Sequence, residues 1–260
     1  MLLVDKKDGV ARITLNRPEV RNAFDDVLIS HLTKTFLEIE KDNSIRVLVL
    51  AGAGTAFCAG ADLNWMRRMA GYGYDENLAD ARALADMLAA LDRMPKPTIA
   101  RVHGPAFAGG TGLVAACDIA VGTPEAKFCF SEAKLRLSPA TISPHVLRAI
   151  GERAARRYFL TAEVFDAAEA ERIGLLSAVV STQDLDSEIE KMLQHLLAGG
   201  PEAMKQIKAL IRAVVGRPLD DALVAETAKR IAEIRASPEG KEGIASFLEK
   251  RKAAWCSRKS

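Results

Sequence analysis

No stretch of this chain approaches the roughly 18 to 20 consecutive apolar residues that a membrane-spanning helix needs, although 49% of its residues are hydrophobic. Neither sign of charge dominates: 36 Lys and Arg stand against 34 Asp and Glu, and a balance of +2 argues against nucleic acid as the main partner. Cysteine is sparse and scattered. Cys58, Cys117, Cys129 and Cys256 form no CxxC pair, so neither a disulfide framework nor a metal site is expected, and the four read as small core residues. Residues 1–8 lack the basic, apolar and small-residue order of a secretory signal and the Arg/Ser bias of a transit peptide, so a cytoplasmic protein is the expectation. The dinucleotide fingerprint GxGxxG and the phosphate loop GxxxxGK[ST] are also missing, which lowers NAD and ATP as ligands. What remains is an ordinary globular composition in 260 residues, long enough for a main domain with a smaller appendage.

Along the chain, Ala11, Ile13 and Leu15 alternate with Arg12, Thr14 and Asn16, which predicts a strand. An arginine-bearing loop follows, and then Leu28, Leu32, Phe36 and Ile39 recur at helical spacing. Residues 46–51 form a continuous apolar run of the kind found in a strand covered on both faces. Small residues fill 52–62 and lead into a helix. After an amphipathic helix over 75–94, ended by Pro95, the same order repeats: an extended run over 97–102, a glycine-rich turn between Gly104 and Gly112, and a helix start. Strand, small-residue turn and helix, given twice, predict βαβ units and a largely parallel sheet. A short strand at 118–121 and an alternating stretch over 126–132 come next, and that stretch ends on Glu132, a carboxylate costly to bury unless it has a partner or a role. A helix over 146–160 carries Arg153, Arg156 and Arg157, read as a solvated face. From residue 181 helical periodicity takes over, so the expected division is an α/β core over 1–180 and a helical module over 181–260.

Several blocks together resemble the crotonase (enoyl-CoA hydratase/isomerase) superfamily over nearly the whole length. They are Arg17-Pro18 with Asn22-Ala23-Phe24, the run from Phe57 to Leu63, the run from His103 to Gly110, Cys117-Asp118-Ile119, Phe128 with Ser131-Glu132, and the run from Phe247 to Lys252. The run from Asp62 to Met66, with Ile142-Ser143-Pro144 and residues 150–158, is most similar to the branch that hydrates 3-methylglutaconyl-CoA or its isohexenyl homologue. The resemblance implies a spiral ββα core followed by a helical trimerisation module, assembly as a homotrimer or dimer of trimers, and an acyl-CoA thioester as substrate with no further cofactor, metal or membrane partner. It also implies an oxyanion hole made by the backbone N–H groups of Ala61 and Gly109. CoA contacts would fall on Arg21, Ala23, Ala59, Asp62 and Leu63, while Phe247 and Lys250 would reach the CoA of a neighbouring subunit. Preorganised N–H donors suit the enolate oxygen that forms when water adds to an α,β-unsaturated thioester.

One departure stands out. Hydratases of this family use two glutamates; the second carries over to Glu132, whereas the first falls on Gly112, which can neither take nor give a proton. Asp62, Asp118 and His145 are weak candidates for assistance, and a carboxylate on the substrate itself could orient the water. Three readings follow: a lyase adding water to the 2,3-double bond of an enoyl-CoA, an isomerase moving one proton with a single carboxylate, and an acyl-CoA-binding or RNA-binding relative without chemistry. Trp65, Met66, Met69 and Ile142 could line an acyl pocket or simply be core.

Overall fold

Strands β2 (Val10–Leu15), β3 (Val47–Gly52) and β4 (Thr98–Val102) lie side by side and parallel at the centre of a six-stranded sheet. The computed structural model describes residues 1–256. β1 (Leu2–Lys7) closes one edge as the antiparallel partner of β2, and β6 (Ile119–Gly122) and β9 (Ala178–Val179) extend the other edge in parallel. A second sheet of three short strands joins β5 (Ala106–Phe107), β7 (Lys127–Cys129) and β8 (Phe165–Asp166), with β5 parallel to β7 and β8 antiparallel to it. The expected α/β class with a largely parallel sheet is what the chain forms.

Alternation along the central strands explains how both faces of the large sheet are covered. Leu48 and Leu50 of β3, with Ile13 and Leu15 of β2, enter the main core; Val47 and Val49 face the other way, onto a second cluster with Ile99, Val121, Leu185, Ile189 and Leu193. Successive side chains of a strand point to opposite faces, so a strand apolar at every position needs cover on both. The main core is roofed by α1 (Asp26–Lys41), α2 (Leu63–Met69), α3 (Tyr74–Arg93), α4 (Gly109–Ala116), α5 (Ser143–Thr161) and the short α6 (Ala167–Arg172). The second cluster is covered by α7 (Leu185–Ala198), whose buried Leu185, Ile189 and Leu193 recur at helical spacing. Sheet structure therefore ends at Val179, and the first helix beyond it packs on the sheet.

Helices α8 (Pro201–Val214), α9 (Asp221–Ala236) and α10 (Pro238–Leu248) follow, and a short 3-10 turn over Ala254–Cys256 comes after them. α8 is tied to the core by Lys208, which donates to Asp118 Oδ2 at 2.5 Å and to the carbonyl of Lys96 at 3.1 Å; the same carboxylate oxygen accepts the amide and the hydroxyl of Thr98 at the start of β4.

Two of the elements expected from the sequence are placed differently. The strand over 126–132 stops at Cys129, and Glu132 stands in a 3-10 turn, Ser131–Leu135, rather than at a strand end. The helix expected over 146–160 begins three residues earlier, at Ser143, and bends at Gly151, whose φ of 71° leaves the helical region.

Candidate functional site

The two small-residue turns are built against each other. The amide of Phe107 donates to the carbonyl of Cys58 at 2.9 Å, and the amides of Phe57 and Cys58 share the carbonyl of Pro105. Gly60, at φ 90°, has its missing Cβ position 3.1 Å from the Phe107 carbonyl oxygen and 3.3 Å from Ala108 Cβ, while a Cβ on Gly110 would stand 2.4 Å from the Cys58 carbonyl. Only glycine permits backbones to close to this distance. Sequence reading had singled out these turns for their small residues, and contact between them is the reason for that composition.

Phe24 orients the first turn. It pairs with Ala61 in an isolated parallel bridge: the Phe24 amide donates to the Gly60 carbonyl at 2.6 Å and the Asp62 amide donates to the Phe24 carbonyl at 2.7 Å. In a parallel bridge the residue between the two bonded neighbours turns its own N–H away from the partner, and the Ala61 amide accordingly donates to no acceptor among the described residues. Gly109, first residue of α4, has a free amide for a different reason, because the first N–H groups of a helix have no intrahelical acceptor. Ala108 before it is held at φ 47° and ψ −116°, a conformation that L residues rarely adopt, and its amide is fixed by the Cys129 carbonyl at 2.8 Å. The ring of Phe24 lies against the Cα of Gly109, with its Cε2 2.7 Å from the position a Cβ would take. One residue thus meets both turns that carry free donors, the first through its backbone and the second through its ring.

Three residues after Cys129 comes Glu132. Its side chain is half-buried, its Oε2 has no hydrogen-bond partner among the described residues, and burial pushes its carboxyl above the usual glutamate range. The pairing of β5 with β7, together with the Ala108–Cys129 hydrogen bond, anchors this turn to the Gly109 turn. The arrangement offers two free N–H donors and one carboxylate with an unpaired oxygen and raised proton affinity, which suits enolate stabilisation combined with proton transfer.

The other acidic candidates are engaged elsewhere. Asp62 caps α2: Oδ1 accepts the amides of Asn64 and Trp65, and Arg17 reaches Oδ2 at 3.1 Å. Burial opposes its ionisation most, yet those amides and the guanidinium together hold it below the ordinary carboxylate range. Asp118 is taken up by Thr98 and Lys208. His145, buried on α5, faces Asp92 at 3.8 Å and Arg148 at 3.2 Å instead of reaching the site. Trp65 and Ile142 are core, whereas Met66 and Met69 are only half-buried on α2. Among the described residues no cluster could hold a metal ion. An open groove of about 600 Å³ between α1 and α3, lined by Asp26, Ile29, Thr33, Leu37 and Asp86 among others, contains none of the site residues.

Of the positions expected at CoA, Arg21 is exposed with φ 54°, and its carbonyl accepts the Ala59 amide at 3.0 Å, so the Ala59 amide is already used. Ala23 is buried and Leu63 is 69% exposed beside Ala61. Phe247 and Lys250 stand exposed at the end of α10. Two structural residues gain roles that motif matching alone did not assign. Arg17 binds Asp25 at 2.9 Å, Asp62, and the carbonyl of Ala23 at 2.8 Å, thereby joining the N-caps of α1 and α2. Asn22, fully buried at φ 58°, donates to the carbonyls of Ala53 and Ala56 and accepts the Arg17 amide, which holds the first turn from beneath. Tolerance of asparagine for left-handed backbone was the available signal.

A family model described as enoyl-CoA hydratase/isomerase matches residues 5–258. Enoyl-CoA hydratase AKT6-1 of Alternaria alternata is 36% identical over 247 residues, covering 94% of this chain and 80% of the relative. Among solved structures, an enoyl-CoA hydratase from Shewanella pealeana superposes with a TM-score of 0.95 at 42% identity, covering 98% of this chain and 95% of the other. An enoyl-CoA hydratase from Mycobacterium smegmatis does so with a TM-score of 0.91 at 36% identity, covering 98% of both chains.

Proposed function

Since this chain belongs to the enoyl-CoA hydratase/isomerase family, we propose that it adds water to the 2,3-double bond of a branched glutaconyl-type enoyl-CoA, with Glu132 as its acid/base. The observation that carries this reading is the unpaired, half-buried Glu132 Oε2 on a turn anchored to the Gly109 turn. In the addition, Glu132 takes a proton from water as the water oxygen bonds to C3. The C2=C3 electron pair moves toward C1, and the charge that develops on the thioester oxygen is stabilised by the amides of Ala61 and Gly109. Glu132 then delivers a proton to C2 and returns to its ionised form, so the net change is the addition of one water. The substrate is the CoA thioester, and the reaction as written needs no further cofactor.

The narrower substrate class rests on the motif resemblance around Asp62 to Met66 and on the lack of a second carboxylate: a carboxylate carried by the acyl group would help orient the attacking water. That same lack favours a second reading, isomerisation, in which one carboxylate moves a proton between the α and γ carbons. CoA would lie along Arg21, Ala23, Ala59, Asp62 and Leu63.

Ile207 and Ile211 of α8, Val215 just after it, Val224 and Ile231 of α9 and Phe247 of α10 are exposed apolar side chains of the kind an association surface would cover. They suit a 181–260 helical module that assembles the chain into a trimer or dimer of trimers and brings Phe247 and Lys250 to a neighbour's CoA. No helix of the described residues is long and apolar enough to cross a membrane.

An assay with crotonyl-, 3-methylglutaconyl- and isohexenylglutaconyl-CoA, scoring hydrated against double-bond-shifted product, tests the reading. Hydration highest on a glutaconyl thioester, and abolished by Glu132→Gln with CoA binding retained, is the expected result. Undiminished turnover in that variant removes Glu132 from the mechanism, and a predominance of shifted product selects the isomerase.

A further inference from the structure

Gly112 lies on the same face of α4 as Gly109, about one turn further along. A Cβ added to Gly112 would stand 2.4 Å from Ile142 Cγ2 and 2.9 Å from Ile142 Cβ, with Leu88 Cδ1 at 3.8 Å. Non-bonded carbons settle at about 3.5 to 4.0 Å, so even a methyl group at position 112 requires Ile142 to move. Ile142 has no solvent to move into. It is 1% exposed, and its β-branch leaves few alternative rotamers. It also stands immediately before α5, a helix packed against both α4 and the turn that carries Glu132.

We infer that Ile142 is a specificity-determining residue: its side chain fills the volume that a second acid/base group on α4 would need, and so confines proton transfer to Glu132. The inference rests on the reading of Glu132 as the acid/base. Position 112 is therefore closed to a carboxylate by packing as well as by the identity of its own residue. An apolar side chain there can neither accept from nor donate to the attacking water, so a site of this construction favours 2-enoyl thioesters that bring their own carboxylate over unsubstituted ones.

A double-mutant cycle with Gly112→Glu and Ile142→Ala tests both halves of the claim. Gly112→Glu is expected to lower Tm by about 5 °C or more in the native background, through overpacking and a carboxylate forced among apolar groups. In the Ile142→Ala background the same change should lower Tm by less than half as much. Crotonyl-CoA hydration by the double variant should exceed that of Ile142→Ala alone by about a hundredfold, the lower end of what a positioned acid/base contributes. Equal Tm losses in the two backgrounds overturn the steric claim. Coupled Tm losses without a gain in crotonyl-CoA hydration overturn the claim that the packing withholds an acid/base. Adding Glu132→Gln to the double variant separates this inference from the reading beneath it: if hydration persists, Glu132 loses its role while the coupling between positions 112 and 142 stands.

Discussion

A carboxylate oxygen buried without a donor, as at Glu132 Oε2, costs the folded state stability whenever it is ionised. Because burial raises the folded pKa above its unfolded value, the contribution of Glu132 to stability is fully present below the unfolded value and is lost as pH rises through the folded one. Glu132→Gln should therefore raise Tm at pH 7, and the gain should disappear by about pH 4, where the unfolded glutamate is itself largely protonated. Thermal unfolding of both proteins across that range checks it, and a variant less stable than the native chain at pH 7 contradicts it. If Glu132 is the base, its hydration rate should fall with acid at a higher pH than an ordinary glutamate would give, because the ionised form is the one that accepts the water proton. At this scale the sequence offered candidate residues and said little about their surroundings. Glu132, Ala61 and Gly109 were picked out by motif. That Gly112 faces Ile142 was not legible, because the two positions are distant in sequence and meet only when α4 packs against the start of α5.

Among the elements, Arg17 has the widest reach. One guanidinium holds the capping carboxylates of α1 and α2, and α2 begins two residues after Ala61. Arg17→Ala leaves two largely buried carboxylates without their cation and is expected to cost about 2 kcal/mol or more. Since the Asp62 cap also fixes the end of the first turn, kcat should fall more than KM rises; urea melts and steady-state kinetics on the same preparation check both. A variant that unfolds earlier but retains its kcat would mean that the turn is held without the cap. Long elements were readable from periodicity: β3 as a run apolar at every position, α3 from the spacing of Leu84, Leu88 and Leu91. The two-residue strands β5, β8 and β9 were not, since so short a strand has no period to detect. β1 escaped for a different reason. It is an edge strand exposed along almost its whole length, so it has no alternation of burial.

For the molecule as a whole, Asp118 and Lys208 form an ionic tie between the α/β core and the helices beyond α7, beside the hydrogen bond that Arg212 donates to the Asp92 carbonyl. Asp118→Ala would leave the Lys208 ammonium buried beside the Lys96 carbonyl without its counter-charge. The expected loss is about 2 to 3 kcal/mol, moderated because Asp118 is itself partly solvated. Denaturant midpoints should record this loss while turnover per folded molecule persists; an intact midpoint would show that the tie contributes little. The end of strand structure near Val179 was legible as the place where strand patterns cease, but the packing of α7 onto the sheet could not be read from its own amphipathic stripe, which says only that one face must be covered. The apolar face left by α8 to α10 has a consequence in mass action. If neighbouring subunits complete each other's CoA sites through Phe247 and Lys250, activity per chain becomes a property of concentration: on serial dilution the apparent KM should climb as subunits separate, and excess acyl-CoA should hold them together.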